Sequence, residues 1–274
     1  MPKRDKTLPR IAGVSGSPGP AARSVVARPA HGATIAVYSV KGGVGKTTIA
    51  ANLAWCSAAL SDRRTLLWDL DASGGAGFVY RVEPRREMRA REIFAQGRAP
   101  ADLVCPSGYE GLDILPADES IRLLDRQFSL LGKRRRLAKL TGELGERYER
   151  IVLDCPPVMN EVSAQVVRAA DLVIVPLPPS PLSARAFDLV VREVADNAKR
   201  HPPILPVHSM LDLRRALHRQ ALKENPDWPV IPYASVVEQS TVHRRPVGAM
   251  APQGAAAQCF GSLWRAIEAK LAQA

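Results

Sequence analysis

Residues 41–48 read Lys-Gly-Gly-Val-Gly-Lys-Thr-Thr, directly after the mostly apolar run 35–40, Ile-Ala-Val-Tyr-Ser-Val. A strand that feeds a glycine-rich turn into a helix aims several backbone N–H groups at one point, and that geometry suits a polyphosphate. Glycine tolerates the backbone angles of so tight a turn and leaves room for a phosphate to approach. Lys46 is spaced to reach the β and γ phosphates, and Thr47 to offer its hydroxyl to Mg²⁺. A nicotinamide-binding loop would instead carry Gly-x-Gly-x-x-Gly without the Lys-Thr pair. ATP or ADP is therefore expected on Lys41, Gly42, Gly43, Val44, Gly45, Lys46, Thr47 and Thr48. An ordinary loop of this kind already has Lys46, so Lys41 needs its own explanation.

The rest of the chain alternates strand and helix patterns. A helix is expected over 46–59 and strands over 65–68, 112–115, 150–153, 172–175 and 204–207. Further helices are expected over 120–147, 183–199 and 256–271. Leu137, Leu140 and Leu144 have the spacing of an inward helical stripe. This alternation predicts an α/β fold with a mostly parallel central sheet and helices on both faces. Residues 1–32, rich in Pro, Gly, Ser and basic side chains, read as a flexible tail. Residues 33–274 read as a single P-loop ATPase domain.

Two expected strands end in acidic residues. One delivers Asp69 and Asp71 into the loop Asp69-Leu70-Asp71-Ala72-Ser73-Gly74-Gly75, and the other ends at Asp154-Cys155-Pro156-Pro157. Nucleotide hydrolysis needs phosphate clamps, a cation and a positioned water. Asp154 and Thr47 are the expected Mg²⁺ ligands. Asp71, further into its loop, is expected to orient or activate the attacking water. Asp69 either supports the metal shell or braces the loop. The catalytic set read from these residues is Lys46 and Asp71, and the metal set is Thr47, Asp69 and Asp154.

With these landmarks in place, the chain resembles the ParA/MinD superfamily of deviant Walker ATPases, and most of all its ParA branch. The resemblance rests on residues 41–48, 69–71 and 154–157 and on the strand 170–176, Ala-Asp-Leu-Val-Ile-Val-Pro. Asp212-Leu213-Arg214 followed by Ile231-Pro232 adds weaker agreement. It covers roughly residues 34–273. It implies that two ATP-bound subunits face each other as a homodimer, with Lys41 of each reaching the phosphates held by the other and so joining the catalytic set. It also implies a slow switch, stimulated by a ParB-like or other adaptor protein, that serves DNA partition or cargo positioning. Two departures stand out. Asp71-Ala72-Ser73-Gly74 replaces the common Asp-Pro-Gln-Gly, and no basic residue follows closely on Ile231-Pro232.

Charge bears on the partner. The chain carries a net +11, which favours an anionic partner such as nucleic acid. The candidate DNA contacts are Lys133, Arg134, Arg135 and Arg136, then Arg214, Arg215 and Arg219. A further basic group is His243-Arg244-Arg245. Arg214 also matches a DNA-contacting position of ParA-like proteins. No sequence-reading module accompanies these groups, so non-specific double-stranded DNA is the expected ligand.

The four cysteines are scattered, with no metal-binding spacing. No apolar run reaches the roughly 18 residues that a bilayer span needs, and no apolar segment follows the basic N-terminus as a secretory leader requires. A cytoplasmic, nucleoid-associated protein is expected. Two alternatives stay open. One is a MinD-like ATPase docking on membrane through the stripe Phe260, Leu263, Trp264, Ile267 and Leu271. The other is a nucleotide-binding scaffold with little hydrolysis.

Overall fold

The computed structural model describes residues 32–84, 92–95, 99–123, 135–197 and 201–273. The expected tail lies outside these apart from Gly32, as do Lys133 and Arg134.

The elements run β1 (Ala33–Val37), α1 (Lys46–Ser61), β2 (Thr65–Asp69), α2 (Gly75–Tyr80), α3 (Glu92–Ala95), β3 (Cys105–Tyr109) and β4 (Leu112–Leu115). They continue with α4 (Arg136–Leu144), β5 (Arg150–Asp154), α5 (Glu161–Ala169), β6 (Leu172–Leu177), α6 (Pro181–Asn197) and β7 (Ile204–Leu211). The chain closes with α7 (Ala216–Glu224), β8 (Val230–Pro232), α8 (Ser235–His243), α9 (Val247–Met250) and α10 (Ala255–Leu271). One eight-stranded sheet has the order β3-β4-β2-β5-β1-β6-β7-β8. Every pairing is parallel except β3 with β4.

The central strands are near-continuous apolar runs because helices cover both of their faces. On one side Ile35, Val37, Leu67 and Val152 pack with Ile49 and Leu53 of α1 and with Phe260, Leu263 and Trp264 of α10. On the other, Ala36, Leu66, Leu153 and Val173 pack with Leu137 and Leu140 of α4, Val166 of α5 and Val190 of α6. The register levels three strand ends: Asp154 of β5 pairs with Val37 of β1 and with Asp69 of β2. The phosphate-binding loop and both acidic strand ends therefore emerge at one edge of the sheet, where open α/β sheets place their ligands.

The terminal helix settles where its apolar stripe points. Phe260, Leu263, Trp264 and Ile267 are all buried. Trp264 Nε1 donates to Ser61 Oγ at 2.7 Å. Arg150 clamps Glu268 of α10 with two hydrogen bonds of 2.6 and 2.9 Å. The stripe belongs to the core, and lipid contact through it would require α10 to undock. Among the described residues, no helix is long and apolar enough to cross a membrane.

Three of the departures from the sequence-based expectation bear on the sheet and the site. The helix expected over 120–147 is, in the described residues, a short 3-10 turn (Glu119–Leu123) and α4, which stops at a Gly145 cap. β3 holds Pro106 and a left-handed Gly108 (φ 81°), residues that argue against a strand but are tolerated on a sheet edge. α2 is only Gly-Ala-Gly-Phe-Val-Tyr, a composition with little helical preference of its own.

Candidate nucleotide-hydrolysis site

The loop after β1 turns on two left-handed glycines, Gly43 (φ 69°) and Gly45 (φ 90°), conformations that other residues adopt at a cost. Gly42 and Gly43 are exposed at its apex. The amide of Ile49 closes the first turn of α1 onto Gly45 O at 2.9 Å. Lys46 is buried, 7% exposed, and its Nζ donates back to Lys41 O at 3.1 Å. Burial pulls its pKa below the ordinary lysine value, while the Asp154 carboxylate pushes the other way. Lys41 donates through Nζ to Ser183 Oγ of α6 at 3.5 Å. Ser183 in turn shares a hydrogen bond with Ser180 Oγ at 2.9 Å.

Asp154 sits at the floor of this arrangement and is fully buried. Neither of its carboxylate oxygens has a hydrogen-bond partner. Burial raises its pKa well above the carboxylate range and neighbouring Asp69 raises it further, while the Thr47 hydroxyl and Lys46 pull in the opposite direction. A buried polar group without a partner is rare and costly. Such a group at a strand end beneath a phosphate loop is suited to a cation.

Asp69 is equally buried but fully engaged. Its Oδ1 accepts the Asp71 amide at 3.0 Å and its Oδ2 the Ala76 amide at 2.9 Å. Burial lifts its pKa to about 7 against the pull of these N–H donors. Of the two roles left open by the sequence, bracing the loop is the one its bonds support. The chain does not stay extended past Asp69. It folds so that Asp71, half-buried, accepts the Ser73 amide on Oδ1 at 3.0 Å and the Gly74 amide on its carbonyl at 2.9 Å. With Gly74 left-handed (φ 67°), this turn closes without the Pro-Gln pair of relatives.

Sequence reasoning missed Gly75. A Cβ there would lie 2.9 Å from Thr47 Cγ2, so glycine is what lets the start of α2 pack against the phosphate loop. The residues fit a Mg-nucleotide. The glycine turn cradles phosphate, Lys46 supplies positive charge, and Thr47 and the open Asp154 oxygens are hard oxygen ligands. Mg²⁺ is commonly held by one or two carboxylates together with substrate phosphates, and it neutralises charge developing on the transferring group. Among the described residues, no cluster of three or more His, Cys, Asp or Glu offers an all-protein metal site.

The candidate DNA contacts sit on separate elements. Arg135 is exposed just before α4, and Arg136 is its half-buried first residue. Before α7, Arg214 is exposed and grips Asp212 through Nε and Nη2 at 2.8 and 3.0 Å. Arg215 is exposed. Arg219 Nη1 caps the carbonyls of Leu213 and Arg214 at 2.8 and 2.9 Å. In the third basic group, Arg244 is turned inward onto α2, donating to Phe78 O at 2.8 Å.

Comparison with known proteins agrees with this geometry. The AAA domain family matches residues 32–205. The sporulation initiation inhibitor protein Soj of Bacillus subtilis (strain 168) is 26% identical over 253 residues, covering 87% of this chain and 99% of Soj. The chromosome partitioning protein ParA of Caulobacter vibrioides (strain NA1000 / CB15N) is 28% identical over 198 residues, covering 69% of this chain and 74% of that protein. In fold, the chain is similar to the Cyanothece McdA–ATP complex, with a TM-score of 0.75 at 17% identity over 88% of this chain and 98% of that one. The P-loop, the level acidic strand ends and these similarities place the chain in the ParA/MinD superfamily of deviant Walker ATPases, within its ParA-type branch.

Proposed function

We propose that this chain is a Mg-dependent ATPase switch that dimerises when ATP-bound, binds double-stranded DNA without sequence preference, and supports DNA partition or cargo positioning. One observation carries the hydrolytic reading: the buried, unpartnered Asp154 carboxylate beneath a glycine-lined loop that also holds Lys46. In this reading Thr47 and Asp154 hold Mg²⁺, and Lys46 and the loop amides hold the phosphates. Asp71 orients the attacking water, and Asp69 keeps Asp71 in place. Lys41, half-buried and bonded through Nζ only weakly to Ser183 Oγ at 3.5 Å, reaches the phosphates of the facing subunit. Residues 33–274 act as one domain behind a basic tail, in the cytoplasm and on the nucleoid, with a ParB-like or other adaptor stimulating turnover.

The DNA part of the proposal draws on the net charge of +11 and on the exposed arginines before α7. Arg214 is held by Asp212, but an ion pair so exposed to solvent is screened and contributes little. A phosphate can replace the carboxylate at small cost.

The test of hydrolysis is direct. Calorimetry and a phosphate-release assay on the full chain should show Mg-ATP binding with slow turnover. Lys46→Ala should lose binding, whereas Asp71→Ala should bind ATP and lose turnover. Equal hydrolysis by wild type and Asp71→Ala would remove Asp71 from the mechanism. A wild type that binds nucleotide without measurable turnover would favour the scaffold reading.

A further inference from the structure

The Asp71 loop runs straight into α2, and α2 is a poor helix by itself. It has six residues, Gly75 and Gly77 lie inside it and Gly74 precedes it. Glycine disfavours helix, and so short a segment does not hold together without tertiary support. Part of that support is packing: Val79 and Tyr80 are buried, and Tyr80 OH donates to Ala51 O at 2.7 Å.

Further support comes from α8, more than 150 residues further along the chain. Both helices are capped by an arginine in the left-handed conformation, Arg81 (φ 58°) for α2 and Arg244 (φ 52°) for α8. Each arginine bonds the other helix. Arg81 Nη2 donates to His243 O at 3.0 Å. Arg244 Nε donates to Phe78 O at 2.8 Å, and its guanidinium lies 4.5 Å from the centroid of the Phe78 ring. Helix C-termini carry negative partial charge, and here each of two cations bonds a carbonyl in the last turns of the other helix. Arginine over an aromatic face adds to the hold.

We infer that the Arg81–Arg244 clasp positions the Asp71 loop, making both arginines positioning residues for hydrolysis. The inference rests on the reading of Asp71 given above. Upstream, the loop is fixed by Asp69 accepting from Asp71 and Ala76 and by the close packing of Gly75 on Thr47. Downstream, α2 ends in the clasp. A loop held at both ends keeps the Asp71 carboxylate in one place. A loop released at one end samples others, and small misplacements of a catalytic group are expensive in rate.

The experiment compares Arg81→Ala, Arg244→Ala and Arg244→Lys with wild type and with Asp71→Ala, all in the full chain. It measures ATP affinity, steady-state turnover and amide hydrogen exchange across residues 71–80. Both alanine variants should lower kcat about tenfold or more while ATP affinity stays within about twofold. Both should speed exchange at Ala76, Gly77 and Phe78. Arg244→Lys, which keeps the cation, should recover part of the lost turnover. Arg81→Ala provides the same test should Arg244→Ala not fold. A kcat that is unchanged or raised in both alanine variants, or exchange that does not move, overturns the clasp. If Asp71→Ala is inactive while the clasp variants match wild type, only the clasp fails. If Asp71→Ala itself turns over normally, the reading of Asp71 fails, and the exchange data still report whether the clasp holds α2.

Discussion

Asp154 is a local conflict within the fold. Its carboxylate is buried, lies in register with a second buried carboxylate, Asp69, and lacks any hydrogen-bond partner. A fold that tolerates such a group without ligand gives up stability, which is common where a site is built for something that binds later. Asp154→Asn keeps the shape and removes the charge. The variant should be more stable than wild type without nucleotide when both are unfolded in urea, by a margin that grows as pH rises and the buried carboxyl is forced to ionise. It should also lose most of its Mg-dependent ATP affinity. A nucleotide-free Asp154→Asn protein that is less stable than wild type would mean that the ionised carboxylate serves the fold.

Among the elements, β7 and α7 carry a pH dependence of their own. His208 is buried in β7, with Nε2 bonded to Asn225 O at 2.9 Å and its ring 5.1 Å from that of Trp228. His218 in α7 accepts the Asp212 amide on Nδ1 at 3.0 Å. Burial lowers both pKa values; Arg215 lowers that of His218 further, and Asp212 opposes. A histidine with a depressed folded pKa takes up its proton more readily in the unfolded chain. Stability is therefore lost as pH falls from the unfolded value of about 6.5 toward the folded one. Asp69, raised to about 7, acts in the opposite direction as pH falls through that value. The comparison that isolates the histidines is wild type against His208→Gln/His218→Asn, unfolded in urea at pH 7 and pH 5. Wild type should lose more stability between the two than the variant, and equal losses would contradict the assignment. The same scale shows what was legible in sequence. The phosphate loop and the strands ending at Asp69 and Asp154 were readable because each is a contiguous apolar run closed by a chemically distinctive residue. β3 was not, because Pro106 and Gly108 disguise an edge strand, and α2 was not, because its glycines serve packing rather than propensity. The amides that Asp69 accepts, which favour the bracing role, leave no trace in sequence. The pairing of Arg81 with Arg244 leaves no local trace at all, since neither position has any feature that points to the other.

At the scale of the whole molecule, the proposal joins the +11 charge to the nucleotide site through dimerisation. In that proposal one exposed basic turn before α7 would bind DNA weakly, and two such turns brought together by an ATP-dependent dimer would gain a shared effective concentration. Phosphate contacts of this kind release counterions, so affinity falls as salt rises and depends little on sequence. Arg214 tests the contact, because its alanine variant should weaken unrelated duplexes by similar factors. The most direct measurement is fluorescence anisotropy on two unrelated DNA duplexes, with ATP, ADP or no nucleotide, at several salt concentrations. The expected result is binding promoted by ATP alone, nearly equal on both duplexes, weakened by salt and by Arg214→Ala. Failure of a demonstrated ATP-bound dimer to bind either duplex, or a strong preference for one sequence, would contradict it.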